Sequence, residues 1–86
     1  MTEFKRGDQI AYIPNHAAGN IRHPDVEFGF VTSRNGSGDY FCRYWRKGRP
    51  GVLRTTANSE CTPARNLERH STVAQEVVNG LLKVLP

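Results

Sequence analysis

Residues 28–46 read FGFVTSRNGSGDYFCRYWR, and this stretch decides the fold because it has the pattern of a β-hairpin. Two runs rich in aromatic and β-branched residues, 28–33 and 40–46, flank a polar segment that contains Asn35-Gly36. Asn-Gly tolerates the positive φ angles of tight hairpin turns. Aromatic and β-branched side chains suit the pleated, half-buried surface of a sheet. We therefore predict two antiparallel strands at 28–33 and 40–46.

Further short runs before and after this hairpin extend the predicted sheet. Residues 9–13, 52–56 and 68–70 have the composition of strands and are bounded by turn residues. Residues 57–64 are expected to be irregular, and residues 63–67 to form a single helical turn. The first 70 residues are thus predicted to be mostly β, with about five short strands.

The C-terminal segment, residues 71–86, has a different period and predicts one amphipathic α-helix of about four turns. Thr72 and Gln75 have the spacing of a capping box, in which each side chain satisfies a backbone N–H. An apolar residue recurs every four positions, as expected for one face of a helix. Those residues are Val73, Val77, Leu81 and Leu85. This face either packs on the sheet or forms a homodimer interface, for which the candidates are Val77, Leu81 and Leu85.

Length and composition indicate one small domain without a membrane segment. The chain has 86 residues, and no apolar run approaches the roughly 20 residues that a membrane helix needs. Its first residues lack the apolar centre of a secretory signal, so we expect a cytoplasmic protein. Cys42 and Cys61 are then expected to be reduced thiols.

Positive charge is concentrated in one quarter of the chain. Residues 34–54 contain six Lys and Arg side chains against Asp39 alone, whereas the segments on either side are close to neutral. A surface of this kind attracts anionic partners.

Strand alternation divides residues 40–46 between two faces of the sheet. Tyr40, Cys42 and Tyr44 are expected to face the core. The other face, continued into the next turn, is the predicted partner-binding surface, made of Phe41, Arg43, Trp45, Arg46, Lys47 and Arg49. Two aromatic rings beside cations could stack on bases and neutralise phosphate. In the alternative interpretation, Trp45 packs at one end of the sheet or under the C-terminal helix, and the cations are merely solvated.

A polar loop at residues 14–27 is long for so small a domain, and such loops often have a function. His16 and His23 are its candidate contact residues. With Asp25, Glu27 and either Cys42 or Cys61 they include the residue types that ligate zinc. The spacing of the two histidines nevertheless matches no compact zinc motif, and the cysteines lie far apart. We therefore expect neither a metal site nor a cofactor. The alternative is a polar loop whose histidines cap backbone groups or face water.

No catalytic motif is present. The chain contains no G-x-S-x-G, phosphate-binding loop or H-E-x-x-H sequence. The expectation is a non-enzymatic protein.

Several short motifs resemble those of SH3-like barrels, over residues 4–70. They are Gly7-Asp8-x-Ile10, Gly29-x-Val31, the aromatic strand 40–45 and the turn 63–67. The resemblance implies a small β-barrel, to which the C-terminal helix is added.

Other runs resemble small uncharacterised proteins of bacteriophages and prophages. These runs are residues 7–14, 43–48 and 53–60. The resemblance implies an accessory role in the host cytoplasm. Two function hypotheses follow: a module that docks on a protein partner or, as the alternative, a nucleic-acid-binding protein that uses the basic-aromatic hairpin 34–54.

Overall fold

The described residues, 3–54 and 59–85 of a computed structural model, form six β-strands, two 3-10 helices and one α-helix. The strands are β1 (Gln9–Tyr12), β2 (Glu27–Arg34), β3 (Asp39–Arg46), β4 (Arg49–Leu53), β5 (Glu60–Pro63) and β6 (Leu67–Arg69). The 3-10 helices are Asn15–Ala17 and Ala64–Asn66, and the α-helix is α1 (Gln75–Leu82). The predicted mostly-β chain with one C-terminal helix is confirmed.

Some predicted boundaries differ from the structure. The run 52–56 was predicted to be a strand, but β4 begins at Arg49 and ends at Leu53, and its last predicted residues, 55 and 56, lie outside the described residues. The prediction that 57–64 is irregular is wrong for Glu60–Pro63, which form β5. The predicted helical turn before the last strand is confirmed as the 3-10 helix Ala64–Asn66.

All strand pairs are antiparallel, and β3 is at the centre of the pairing. The order is β4-β3-β2-β1-β6, and β5 also pairs with β3. One edge of β3 pairs with β2. Its other edge pairs with β5 through residues 39–42 and with β4 through residues 45–46. β3 therefore has three strand neighbours.

The sheet has to curl, because β5 and β6 are at opposite ends of the pairing order but are joined by only three residues. In a flat sheet they would be four strand spacings apart, about 19 Å. The four residue steps from Pro63 to Leu67 can span at most about 14 Å. No ladder joins β5 to β6 within the described residues, so closure of the sheet into a barrel stays a prediction.

Alternation along β3 separates two hydrophobic clusters. Tyr40, Cys42 and Tyr44 belong to the first cluster, as predicted from the sequence. The other members of this cluster are Phe4, Ile10, Val31 and Leu67. The second cluster is formed by Phe30, Trp45 and Val78. Because Phe30 and Trp45 have the opposite parity along their strands, the second cluster lies on the opposite face of the sheet, where α1 covers it.

The helix starts later than predicted, because a buried glutamine holds the preceding segment extended. Gln9 Oε1 accepts hydrogen bonds from the backbone N–H groups of Thr72 (2.9 Å) and Val73 (3.1 Å). Gln9 Nε2 donates to the carbonyl oxygen of Val73 at 2.8 Å. The predicted capping box is wrong: Ala74 is the N-cap, no side chain caps it, and Gln75 Nε2 donates to the Gly7 carbonyl instead.

The helix packs on the sheet through a narrow apolar face. Val78 is fully buried against Phe30 and Trp45, while Leu81 and Leu85 pack at the edge of this cluster. Val77 is 41% exposed. Of the three residues predicted for a dimer face, two thus contribute to the fold of a single chain. No helix among the described residues has the length and apolar character needed to cross a membrane.

Candidate binding cleft

The predicted partner-binding surface is divided by the second hydrophobic cluster. Arg43 is 5% exposed and Trp45 is 4% exposed, so the prediction that both face outward is wrong. For Trp45 the physical reason is that α1 covers this face: the Trp45 ring lies 5.3 Å from the Phe30 ring, in the same cluster as Val78. This arrangement agrees with the alternative interpretation, in which Trp45 lies under the C-terminal helix. Phe41 is partly buried.

The remaining predicted residues, Arg46, Lys47 and Arg49, are exposed at the β3–β4 turn. Gly48 has the positive φ of 73° that this turn requires. Lys47 Nζ donates a hydrogen bond to the carbonyl oxygen of Pro24, which connects the turn to the long loop. The structure thus separates three surface cations from the buried Arg43 and Trp45.

A cleft of about 440 Å³ lies beside this turn, and the long loop contributes its opposite side. Its apolar lining residues are Val26, Phe28, Trp45 and Pro50. Its charged lining residues are Asp25, Glu27, Arg46, Lys47 and Arg54. Gly48 and Thr72 complete the described lining. The cleft therefore combines an aromatic and aliphatic surface with charges of both signs.

Ion pairs neutralise part of this charge. Arg54 pairs with Glu27 and Glu60, and its guanidinium lies 5.6 Å from the centre of the Tyr44 ring. The hydrogen bond from His16 holds the pKa of the Asp25 carboxyl below its usual range, and the positive charge of Lys47 adds a smaller effect in the same direction. Within the described parts of the chain, Arg46 is in no ion pair, so its guanidinium is available to an anionic group.

The long loop is built as a series of tight turns that position residues 16–26. Backbone N–H groups of Ala18, Asn20, His23 and Val26 each donate to a carbonyl three residues earlier. Asn66 Nδ2 donates to the Ile13 carbonyl at 2.9 Å and to Asn15 Oδ1 at 2.8 Å, which attaches the start of the loop to the sheet. Buried Ala17 and Val26 anchor it further. The predicted irregular loop is therefore an ordered one.

This loop brings together three side chains whose proximity the sequence spacing did not predict. His16 Nε2 lies 2.7 Å from Asp25 Oδ2, and the His16 and His23 ring centres are 5.2 Å apart. His23 Nδ1 accepts a hydrogen bond from the backbone N–H of Asp25 at 3.1 Å. The only signal in the sequence was three polar groups on one turn-rich segment, and their convergence depends on the turns between them.

The two thiols differ in environment, and neither forms a disulfide. Cys42 lies in the first hydrophobic cluster, and burial raises the pKa of its thiol to about 12. Cys61 is exposed on β5. A buried thiol with a raised pKa is a poor nucleophile. Cys42 therefore serves packing.

Thr72 contributes the one hydroxyl of the described lining, and no histidine or cysteine is among these residues. The arrangement is suited to binding an apolar group beside a charge.

Comparisons of the chain with models of protein families, with curated proteins and with solved structures gave no match.

Proposed function

We propose that the chain is a small non-enzymatic binding module that holds a segment of a protein partner in the cleft between the long loop and the β3–β4 turn. The observation that supports this proposal is the aromatic and aliphatic lining of the cleft beside the exposed guanidinium of Arg46. In the phage-type accessory role that the sequence resemblance implies, the partner would be a protein of the bacterial host.

The dimensions and chemistry of the cleft fit one anchoring side chain and its neighbour. Its volume of about 440 Å³ lies in the range of small ligand sites. The partly buried Phe28 and the exposed Pro50 provide most of the apolar contact, because Trp45 is only 4% exposed. Aromatic residues are enriched among the side chains that dominate interface energetics. Arg46 offers hydrogen-bond donors suited to a carboxylate. The expected partner segment is therefore an apolar residue next to an acidic one.

A protein partner fits these observations better than a nucleic acid does. Stacking on successive bases requires exposed rings along a positive groove. Only 4% of Trp45 is exposed, and Trp45 is one of the residues that line the cleft. Arg43 is buried as well. The cleft also carries charges of both signs, since Asp25 and Glu27 lie beside Arg46 and Lys47, whereas a nucleic acid presents a continuous row of negative phosphates. These features favour a partner of mixed polarity.

Nucleic-acid binding at the β3–β4 turn is the second candidate function. This function is favoured because Arg46, Lys47 and Arg49 are all exposed and lie close together in one hairpin. Binding through these cations would neutralise phosphates, so its affinity would fall steeply with added salt.

Selection of peptides from a random display library, followed by titration of the purified protein, tests the protein-binding proposal. Trp45 is the only tryptophan of the chain and lines the cleft, so its fluorescence reports occupancy directly. We expect selected peptides that contain an apolar residue beside Asp or Glu and that bind with micromolar dissociation constants, about −8 kcal/mol.

Matched pairs of variants locate the site. Pro50→Asp places a charge in the cleft, whereas Val52→Asp places one at an exposed position of the same strand outside the described lining. Arg46→Glu and Arg49→Glu form a second pair on the same hairpin. We expect the first member of each pair to weaken binding about tenfold or more, which is 1.4 kcal/mol or more. Peptides that bind all four variants equally would contradict the proposal.

Titration with single- and double-stranded oligonucleotides, at low and at physiological salt, separates the two candidate functions. Oligonucleotide binding would replace the protein-binding proposal by the nucleic-acid one under two conditions. The affinity would have to fall with added salt, and it would have to fall equally in Arg46→Glu and in Arg49→Glu. An absence of binding at low salt would remove the nucleic-acid candidate.

A further inference from the structure

Three metal-ligating groups converge on the long loop. The candidate donor atoms of His16, His23 and Asp25 all lie within 4.8 Å of one another. The side chains of His16 and Asp25 are 62% and 58% exposed, so an ion from solvent reaches them without any opening of the fold. We propose that these three residues bind one divalent ion of the zinc class, which replaces the expectation of no metal site that the sequence spacing supported.

The donor set determines the class of ion. Two imidazoles and one carboxylate are the ligands of many zinc sites and of related borderline transition metals, whereas magnesium and calcium prefer sites made of oxygen. Three protein ligands leave at least one coordination position for water in a four-coordinate ion. Since the site has no thiolate and lies at the surface, its affinity falls below that of buried four-cysteine sites.

Small side-chain movements bring the donors to coordination distances. Bonds of 2.0–2.1 Å in a tetrahedral site place neighbouring donor atoms about 3.3 Å apart. The 2.7 Å contact between His16 Nε2 and Asp25 Oδ2 then widens by about 0.6 Å, and the separations of up to 4.8 Å shorten by about 1.5 Å. Rotation of exposed side chains supplies shifts of this size without any change in the backbone.

The backbone of the loop is already fixed before an ion arrives. His16 lies in the 3-10 helix Asn15–Ala17, and the His23 carbonyl accepts a hydrogen bond from the Val26 backbone N–H at 3.1 Å. Ala17 and Val26, which directly follow His16 and Asp25 in the chain, are buried. The entropy of ordering the loop is therefore lost on folding and not on metal binding, which favours the bound state.

Two features of the cluster oppose binding and limit the affinity. The ion must replace the hydrogen bond between His16 and Asp25, and coordination by His23 changes the bond that its Nδ1 accepts from the Asp25 N–H. The ammonium group of Lys47 lies beside the cluster, at the Pro24 carbonyl, and repels a cation. Protons compete as well, because the ligands must be deprotonated to bind.

Calorimetric titration of the untagged 86-residue chain with Zn²⁺ tests the proposal. We expect one site per chain, and dissociation constants that increase about tenfold or more in each of His16→Ala, His23→Ala and Asp25→Asn. The third histidine of the chain provides a matched control: the His70 ring lies 4.9 Å from the Phe28 ring and contributes no donor atom to the cluster, so His70→Ala should keep the affinity of the parent protein. Circular dichroism confirms that the variants fold.

Substitution of Co²⁺ identifies the ligands independently. A cysteine-bound Co²⁺ ion has an intense charge-transfer band in the near ultraviolet, whereas an imidazole and carboxylate site has only weak visible bands. We expect the weak bands, unchanged in Cys61→Ser, and weaker binding as the pH is lowered, because protons compete with the metal for its ligands. Undiminished Zn²⁺ binding in His16→Ala and His23→Ala, or a thiolate band lost in Cys61→Ser, would overturn the proposal.

Discussion

At the scale of single residues, the side chain of Gln9 has more structural consequences than its polarity suggests. It is 6% exposed on β1, yet both ends of its amide are hydrogen-bonded to the chain that precedes α1. Its oxygen satisfies two backbone donors and its nitrogen satisfies one carbonyl, as a neighbouring strand would. A buried polar group that is fully satisfied in this way specifies one position of the segment that it holds.

Replacement of Gln9 by Ala should destabilise the fold by about 2–4 kcal/mol, because two N–H groups and one carbonyl lose their partner in a partly buried place. Gln75→Ala is the matched control, since that exposed glutamine also connects the two segments, through the Gly7 carbonyl, and should cost only about 1 kcal/mol. Urea unfolding monitored by circular dichroism measures both. Equal losses of the free energy of unfolding in the two variants would show that the burial of Gln9 adds nothing to stability.

At the scale of elements, β2 and β3 approach each other closely where Gly29 pairs with Tyr44. A Cβ atom at position 29 would lie 1.9 Å from the Arg43 carbonyl oxygen, which is less than any van der Waals contact allows. The same pair of strands supplies Phe28 and Trp45 to the cleft. The distance between β2 and β3 therefore determines both their hydrogen-bonded pairing and the position of one side of the cleft.

Gly29→Ala should destabilise the protein by at least about 2 kcal/mol, because the added methyl group pushes apart two paired backbones. Gly36→Ala is the control: a Cβ at this turn position meets no atom within 4 Å, so its effect should stay within about 0.5 kcal/mol. Thermal unfolding of the two variants gives the comparison. A Gly29→Ala protein as stable as Gly36→Ala would contradict the close approach of the two strands.

Local patterns in the sequence predicted the elements but not their long-range contacts. The hairpin and the core face formed by Tyr40, Cys42 and Tyr44 were predicted from local patterns, and the structure confirms both. The turn differs from the prediction, because the positive φ is at Gly38 (89°) and not at Asn35 or Gly36. Burial of Trp45 depends on α1, which lies 30 residues later in the chain and has no local signature on β3. The short strand β5 has no alternating pattern either, since it is defined by its pairing with β3.

At the scale of the whole molecule, little apolar surface is left for self-association. The exposed large hydrophobic residues in the described part of the chain are Val52, Val77 and Val84. A stable dimer buries about 800 Å² on each partner, with an apolar centre. Leu81 and Leu85, which the homodimer hypothesis requires, are packed against the second cluster instead.

We therefore expect a monomer at micromolar concentrations, by light scattering coupled to size-exclusion chromatography. Val77→Lys should leave the mass and the stability nearly unchanged, since the side chain is 41% exposed. A dimer that Val77→Lys converts to a monomer would instead identify α1 as an interface between two copies.

The pairing of β1 with β6 has a consequence for synthesis on the ribosome. β1 gains its first neighbour as soon as β2 has emerged, but its second edge waits for Leu67–Arg69. Pairing β1 with β6 closes a long segment of the chain, and this step is slow because conformational entropy is lost before any stabilising contact forms. Until then a nascent chain presents an unpaired strand edge that can recruit other chains. Chaperone contact with the polypeptide should accordingly be most frequent before β6 emerges from the ribosome.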